Sequence, residues 1–135
     1  MAKDLMSYLA QNPVDQLVQE IRIPGRLEKF PIKIKPMSPK QFHDYQQIAT
    51  KLGNGGKQQT SFNTGKFHGL VVINHVVEPN LRDATALSAA GVSTPEEFLN
   101  KFFLSGEILE LVEQISAISG FNKSDIELED EVKNS

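Results

Sequence analysis

The chain of 135 residues has no cysteine, which excludes disulfides and thiolate metal centres and fits a reducing compartment. It also has no apolar run near the about 20 residues that a membrane-crossing helix needs. Met1 to Ser7 lacks the apolar stretch of a secretion signal, so a cytoplasmic protein with no membrane partner is expected. Histidine is scarce: His43, His68 and His75 form no pair four apart beside an acid, and they read as surface or satisfied interior residues. Any nucleophile must be Ser or Thr, and none sits in a Gly-x-Ser-x-Gly turn. The glycine-rich stretch from Gly53 to Ser61 lacks the marks of a phosphate loop, because Gln58 follows Lys57 and a helix precedes it. It reads as a flexible loop. Glu107, Glu110 and Glu113 recur at helical spacing beside an apolar stripe, which is the pattern of a solvated face rather than of an acid/base pair. With no catalytic, metal or cofactor site left, no enzyme is expected.

What is present describes an ordinary soluble domain. Hydrophobic residues make up 39% and charged residues 23%, and the length suits one domain with one core. Residues 1–121 are expected to form it, with residues 122–135 an acidic, disordered tail. The net charge of −3 conceals a division: residues 1–66 hold ten Lys and Arg against five acids, while the remainder holds four against twelve. Solvated faces account for this simply. The sharper reading is a basic hairpin meeting an acidic helical surface, within the chain or between neighbours.

Leu5, Met6 and Leu9 suggest a short amphipathic helix that ends before Asn12-Pro13. From Leu17 the period changes to two, with Leu17, Ile21 and Ile23 on one face. After Pro24-Gly25 the alternation returns as Phe30, Ile32 and Ile34 opposite Lys29, Lys33 and Lys35. This predicts a β-hairpin over about residues 17–36. Pro31 and the lysines suggest that its second strand is a protected edge. A nucleic-acid face of Lys29, Lys33, Lys35 and Lys40 is the weaker reading, so nucleic acid is not an expected partner.

Ser38-Pro39-Lys40-Gln41 is a capping box opening a helix with Phe42, Tyr45, Ile48 and Ala49 on one face. Residues 67–77 are β-branched enough for a strand, yet Phe67, Leu70, Val71, Asn74 and Val77 fit a helix face; a buried helix is expected. A small-residue helical turn follows over Asp83 to Ala89. Thr94-Pro95-Glu96-Glu97 is a second capping box, followed by Phe98, Leu99, Phe102 and Phe103 on one stripe. Ser105 offers a further N-cap, after which Ile108, Leu111, Val112, Ile115 and Ile118 recur at helical spacing. Gly120 suits the left-handed stop, and Phe121 can fold back onto the last turn. The fold class is therefore α+β: an N-terminal β-hairpin packed with a mainly helical C-terminal bundle, helical over residues 38–121.

The order Phe30-Pro31-Ile32-Lys33-Ile34-Lys35-Pro36, Val77-Glu78-Pro79-Asn80-Leu81, Thr94-Pro95-Glu96-Glu97-Phe98-Leu99, Phe103-Leu104-Ser105-Gly106-Glu107 and Ile115 to Phe121 resembles the XkdN-like tail assembly chaperones of phages and prophages of Gram-positive bacteria. The resemblance implies a protein that binds the tape-measure protein, keeps it soluble while the tail assembles, and is absent from the finished virion. Self-association or contact with the tail tube protein is a further implication. The partner surface it suggests is Phe98, Phe102, Phe103, Leu104 and Ile108, against the plainer reading that these residues are core. A structural tail protein and a small nucleic-acid-binding regulator are the rival classes. The resemblance also implies two product lengths made by a ribosomal frameshift, for which Lys133-Asn134 could be encoded by a slippery run.

Overall fold

The structure, a computed structural model, describes residues 2–52 and 60–121. Most of the glycine-rich stretch, the acidic tail and Lys133-Asn134 lie outside the described residues. The chain runs through helix α1 (Ala2–Gln11), a 3-10 turn (Val14–Gln16), strands β1 (Gln19–Ile21) and β2 (Ile32–Ile34), helix α2 (Pro39–Ala49), strands β3 (Thr50–Leu52) and β4 (Thr60–Phe62), helix α3 (Thr64–His75), strand β5 (Val76–Glu78), and helices α4 (Ala84–Ala89), α5 (Pro95–Phe102) and α6 (Ser105–Ile118). The α+β class is as the residue pattern predicts.

The predicted hairpin is there, with Ile21 opposite Ile32 and Gln19 opposite Ile34. Its second strand is not an edge, however. The sheet order is β1-β2-β5, all antiparallel, so β2 is the central strand and Lys33 lies opposite Glu78. Lys33 Nζ and Glu78 Oε2 are 3.7 Å apart, so this lysine faces a carboxylate in its own sheet. Pro31 precedes the strand and removes no ladder bond, which is why the centre of the sheet tolerates it. A second two-stranded pairing, β3 with β4, flanks the glycine-rich stretch.

Residues 67–77 resolve into most of a helix and the start of a strand. Helix α3 is capped by Asn63, whose side chain accepts from Lys66 N–H at 2.9 Å, and the chain passes from His75 directly into β5. Consecutive residues Val71, Val72 and Ile73 are all buried, because α6, α2 and α5 pack around this helix. A helix covered on several sides has no single apolar stripe, which explains its ambiguous period.

The caps follow the residue pattern closely at Ser38, where Oγ accepts from Gln41 N–H and the Gln41 side chain accepts from Ser38 N–H. Thr94 Oγ1 accepts from Glu97 N–H, but Glu97 returns to Ser93 N–H rather than to Thr94. Gly120 has φ +101°, and Phe121 N–H donates to Ser116 C=O as the Phe121 ring meets Phe42 at 4.9 Å. On α2, Tyr45 and Ala49 are buried but Ile48 is 52% exposed. Helix α1 is amphipathic, as expected, yet Leu5, Met6, Tyr8 and Leu9 are all exposed.

His75 is a satisfied interior residue, fully buried where α3 meets β5. Its Nδ1 lies 3.2 Å from Lys35 C=O, which can only accept, so Nδ1 carries the proton and Nε2 accepts from Tyr45 Oη at 2.8 Å. Burial pushes the imidazole down to about 4, outweighing the hydrogen bond to Lys35 C=O. The folded chain therefore holds neutral His75, while the unfolded chain takes up a proton near 6.5. Stability from this site is complete above that value and falls as pH drops towards 4, by about 3 kcal/mol in all. Urea unfolding across this range should show the decline beginning above the carboxylate range. His75→Gln should be less stable at neutral pH and flatter below it; an unchanged slope would remove the assignment.

Candidate functional site

The five residues suggested as a partner surface occupy α5, the start of α6 and the corner between them, and they spread over three depressions, two of which share Phe103. Phe98, Phe102 and Phe103 line an apolar cleft of about 490 Å³, facing Leu27, Phe30, Pro31, Ile32 and Pro79 from the sheet side. The Phe98 and Phe102 rings stand 4.8 Å apart and Lys101 Nζ lies 5.5 Å from the Phe102 ring centre. Phe102 is 39% exposed and Phe30 63% exposed, whereas Phe98 and Phe103 are half-buried against the core. Ile108, also half-buried, turns to a second depression shared with Lys66, Leu70, Glu96 and Leu109. Leu104, 59% exposed, borders a third, with Ile23, Pro24, Gly25 and Leu109. The core reading thus holds in part for Phe98, Phe103 and Ile108. Phe102 and Leu104 are the exposed members.

Two residues of this region escape the sequence pattern. Leu109 is 47% exposed on the acidic side of α6, an apolar residue where the helix is otherwise polar. Glu107 is the other, and it is no solvated residue: it is only 7% exposed. Its carboxylate accepts from Arg26 at 2.8 Å and from Leu104 N–H at 2.8 Å, while Arg26 also donates to Phe102 C=O at 2.6 Å. Burial alone would push the Glu107 carboxyl up, but these hydrogen bonds and the Arg26 charge outweigh it and hold the carboxyl below its ordinary value. The N-cap of α6 is consequently Leu104, one residue before the expected Ser105. A leucine side chain cannot cap, so Glu107 satisfies the orphan donor from within the helix.

The sharper charge reading has one contact of its kind within the chain, Arg26 of the hairpin turn with Glu107 of α6. Arg26 to Glu107 and Lys33 to Glu78 both join the basic half to the acidic one. Lys40 pairs with Asp44 at 3.0 Å along α2. Two of the four lysines once grouped as a nucleic-acid face thus have carboxylates beside them. Among the described residues no group of three or more His, Asp or Glu could hold a metal ion. No described helix is long and apolar enough to cross a membrane.

The order of elements and the apolar corner now meet a comparison with known families. Residues 5–133 match the family described as Phage XkdN-like tail assembly chaperone protein. The chain belongs to this family. The XkdN-like assignment extends over both the sheet and the helical part, including the corner from Phe98 to Ile108. No curated protein matches the chain. Among solved structures, the crystal structure of the protein yqbn is similar with a TM-score of 0.55 and 14% identity, over 78% of this chain and 87% of that one. At that identity the likeness speaks for a shared fold alone.

Proposed function

We propose that this XkdN-like chaperone binds the tape-measure protein in the host cytoplasm, keeps it soluble while the tail assembles, and leaves before the virion is complete. The family match across residues 5–133 carries this reading. The exposed apolar corner supports it. A tape measure is a long helical protein whose apolar stripes would aggregate if uncovered, and a partner with its own exposed aromatic cleft can cover them reversibly. Phe102 and Phe30 offer such a surface without being needed for the core. The action is binding rather than catalysis.

Co-expression with the tape-measure protein of the same gene cluster tests the reading: tape measure should become soluble and co-purify with the chaperone. Phe102→Asp should lower the thermal midpoint by roughly 3 to 7 °C, since it removes a ring packed on Phe98, yet leave the domain folded and abolish co-purification. Unfolding by that substitution would return Phe102 to the core. Finding the protein by mass spectrometry in purified virions would favour a structural tail component instead.

A further inference from the structure

The depression beside Leu104 differs from the aromatic cleft in its charge. Its walls are the turn after β1, at Ile23, Pro24 and Gly25, and the first two turns of α6; its apolar side is Leu104 and Leu109, each about half exposed. Glu110 and Glu113 line it as well. Arg26 already answers Glu107, but Glu110 and Glu113 have no ion pair among the described residues. Like charges three apart on a helix repel, and a cation seated between them relieves that repulsion.

Gly106 adds an independent observation. It sits in the first turn of α6 without a positive φ, and a Cβ added there would meet nothing within 4 Å. No internal packing or backbone strain accounts for a glycine that weakens its own helix. The missing side chain leaves open space in the groove wall, where an incoming backbone can approach. None of the lining residues belongs to a strand, so the groove offers no sheet edge to an extended peptide. A helix, whose backbone bonds are internal, suits it better.

We propose that this groove receives a helical segment of the partner whose apolar stripe is flanked by Lys or Arg, the apolar residues meeting Leu104 and Leu109 and the cations meeting Glu110 and Glu113. The proposal rests on the binding function proposed above and names the chemistry of the segment bound. Helix α1 of a second copy is a poorer occupant, since Ala2–Gln11 carries only Lys3 and Asp4 as charged residues.

Two synthetic helical peptides with the same leucine stripe, one flanked by Lys and one by Glu, titrated into the full-length chain by calorimetry, test it. At low salt the Lys peptide should bind at least about tenfold more tightly, and high salt should remove that advantage. Glu110→Gln with Glu113→Gln should cancel the preference. Gly106→Leu should abolish binding of either peptide while leaving the thermal midpoint unchanged or raised. Equal affinity for the two peptides, a preference that survives the double substitution, or binding that survives Gly106→Leu would each overturn the proposal. If neither peptide binds and the double substitution instead dissolves a self-associated form of the chain, the occupant is a second copy, and the proposal fails. Neither peptide binding to a chain that still solubilises the tape measure rejects the groove alone; failure of the unmodified chain to solubilise it rejects the function.

Discussion

Ile34→Ala is expected to lose about 3 to 4 kcal/mol, in the upper part of the range for deleting buried aliphatic groups, and to lower the thermal midpoint by roughly 10 °C. Ile34 is fully buried in the middle strand, opposite Gln19 on one side and Val76 on the other. Strands on both flanks limit how far the sheet can collapse into the space left. Against a total stability of about 5 to 15 kcal/mol for a domain, that loss leaves little reserve. Phe30→Ala, two residues before the strand and 63% exposed, should change stability by about 0.5 kcal/mol or less and serves as the control. Equal effects of the two substitutions in denaturant unfolding would contradict the central position of β2.

Arg26→Gln should cost about 2 kcal/mol at neutral pH, less than the loss typical of a fully buried pair because half of the Arg26 side chain is in solvent. Glu107→Gln should cost less, about 1 kcal/mol, since the amide oxygen still accepts from Leu104 N–H and the freed Arg26 can hydrate. The asymmetry comes from which charge is left behind. In Arg26→Gln the buried carboxylate keeps only one partner, and burial then favours its protonated form. The unmodified protein has the opposite linkage: the Glu107 carboxyl is held low, so its contribution is present above its ordinary value and lost as pH falls. The stability gap between the unmodified chain and Arg26→Gln should therefore narrow as pH drops through the carboxylate range. Unfolding titrations at several pH values measure this, and a gap that widens on acidification would reject the account.

Local signals in the residues were reliable where the physics is local. An N-cap motif needs only four consecutive residues, and those at Ser38 and Thr94 start helices where expected, although only the one at Ser38 closes as a full box. The left-handed stop at Gly120 is equally local. Non-local pairing was less legible. Val76-Val77-Glu78 continues the apolar run of α3 without a break, and nothing nearby shows that it pairs with β2. Glu107 carries the spacing of a solvated residue, and its burial depends on an arginine 81 positions earlier. At the candidate surface the residue types were visible but their exposure was not: Phe98, Phe103 and Ile108 share a stripe with core residues, and only the packing separates them from Phe102 and Leu104. Leu109 could have been found as an apolar residue set among glutamates.

The Arg26 side chain that joins the turn after β1 to the α5–α6 corner has a consequence for timing during synthesis. At roughly 5 to 20 residues per second, the 81 positions between Arg26 and Glu107 take on the order of ten seconds to translate. Throughout that interval the turn after β1 has no corner to hold, and the central strand must also wait for β5. The corner thus cannot take its final form until residues up to Glu107 have been made. A nascent chain that ends before residue 107 therefore lacks the arginine clamp that ties the turn after β1 to this corner.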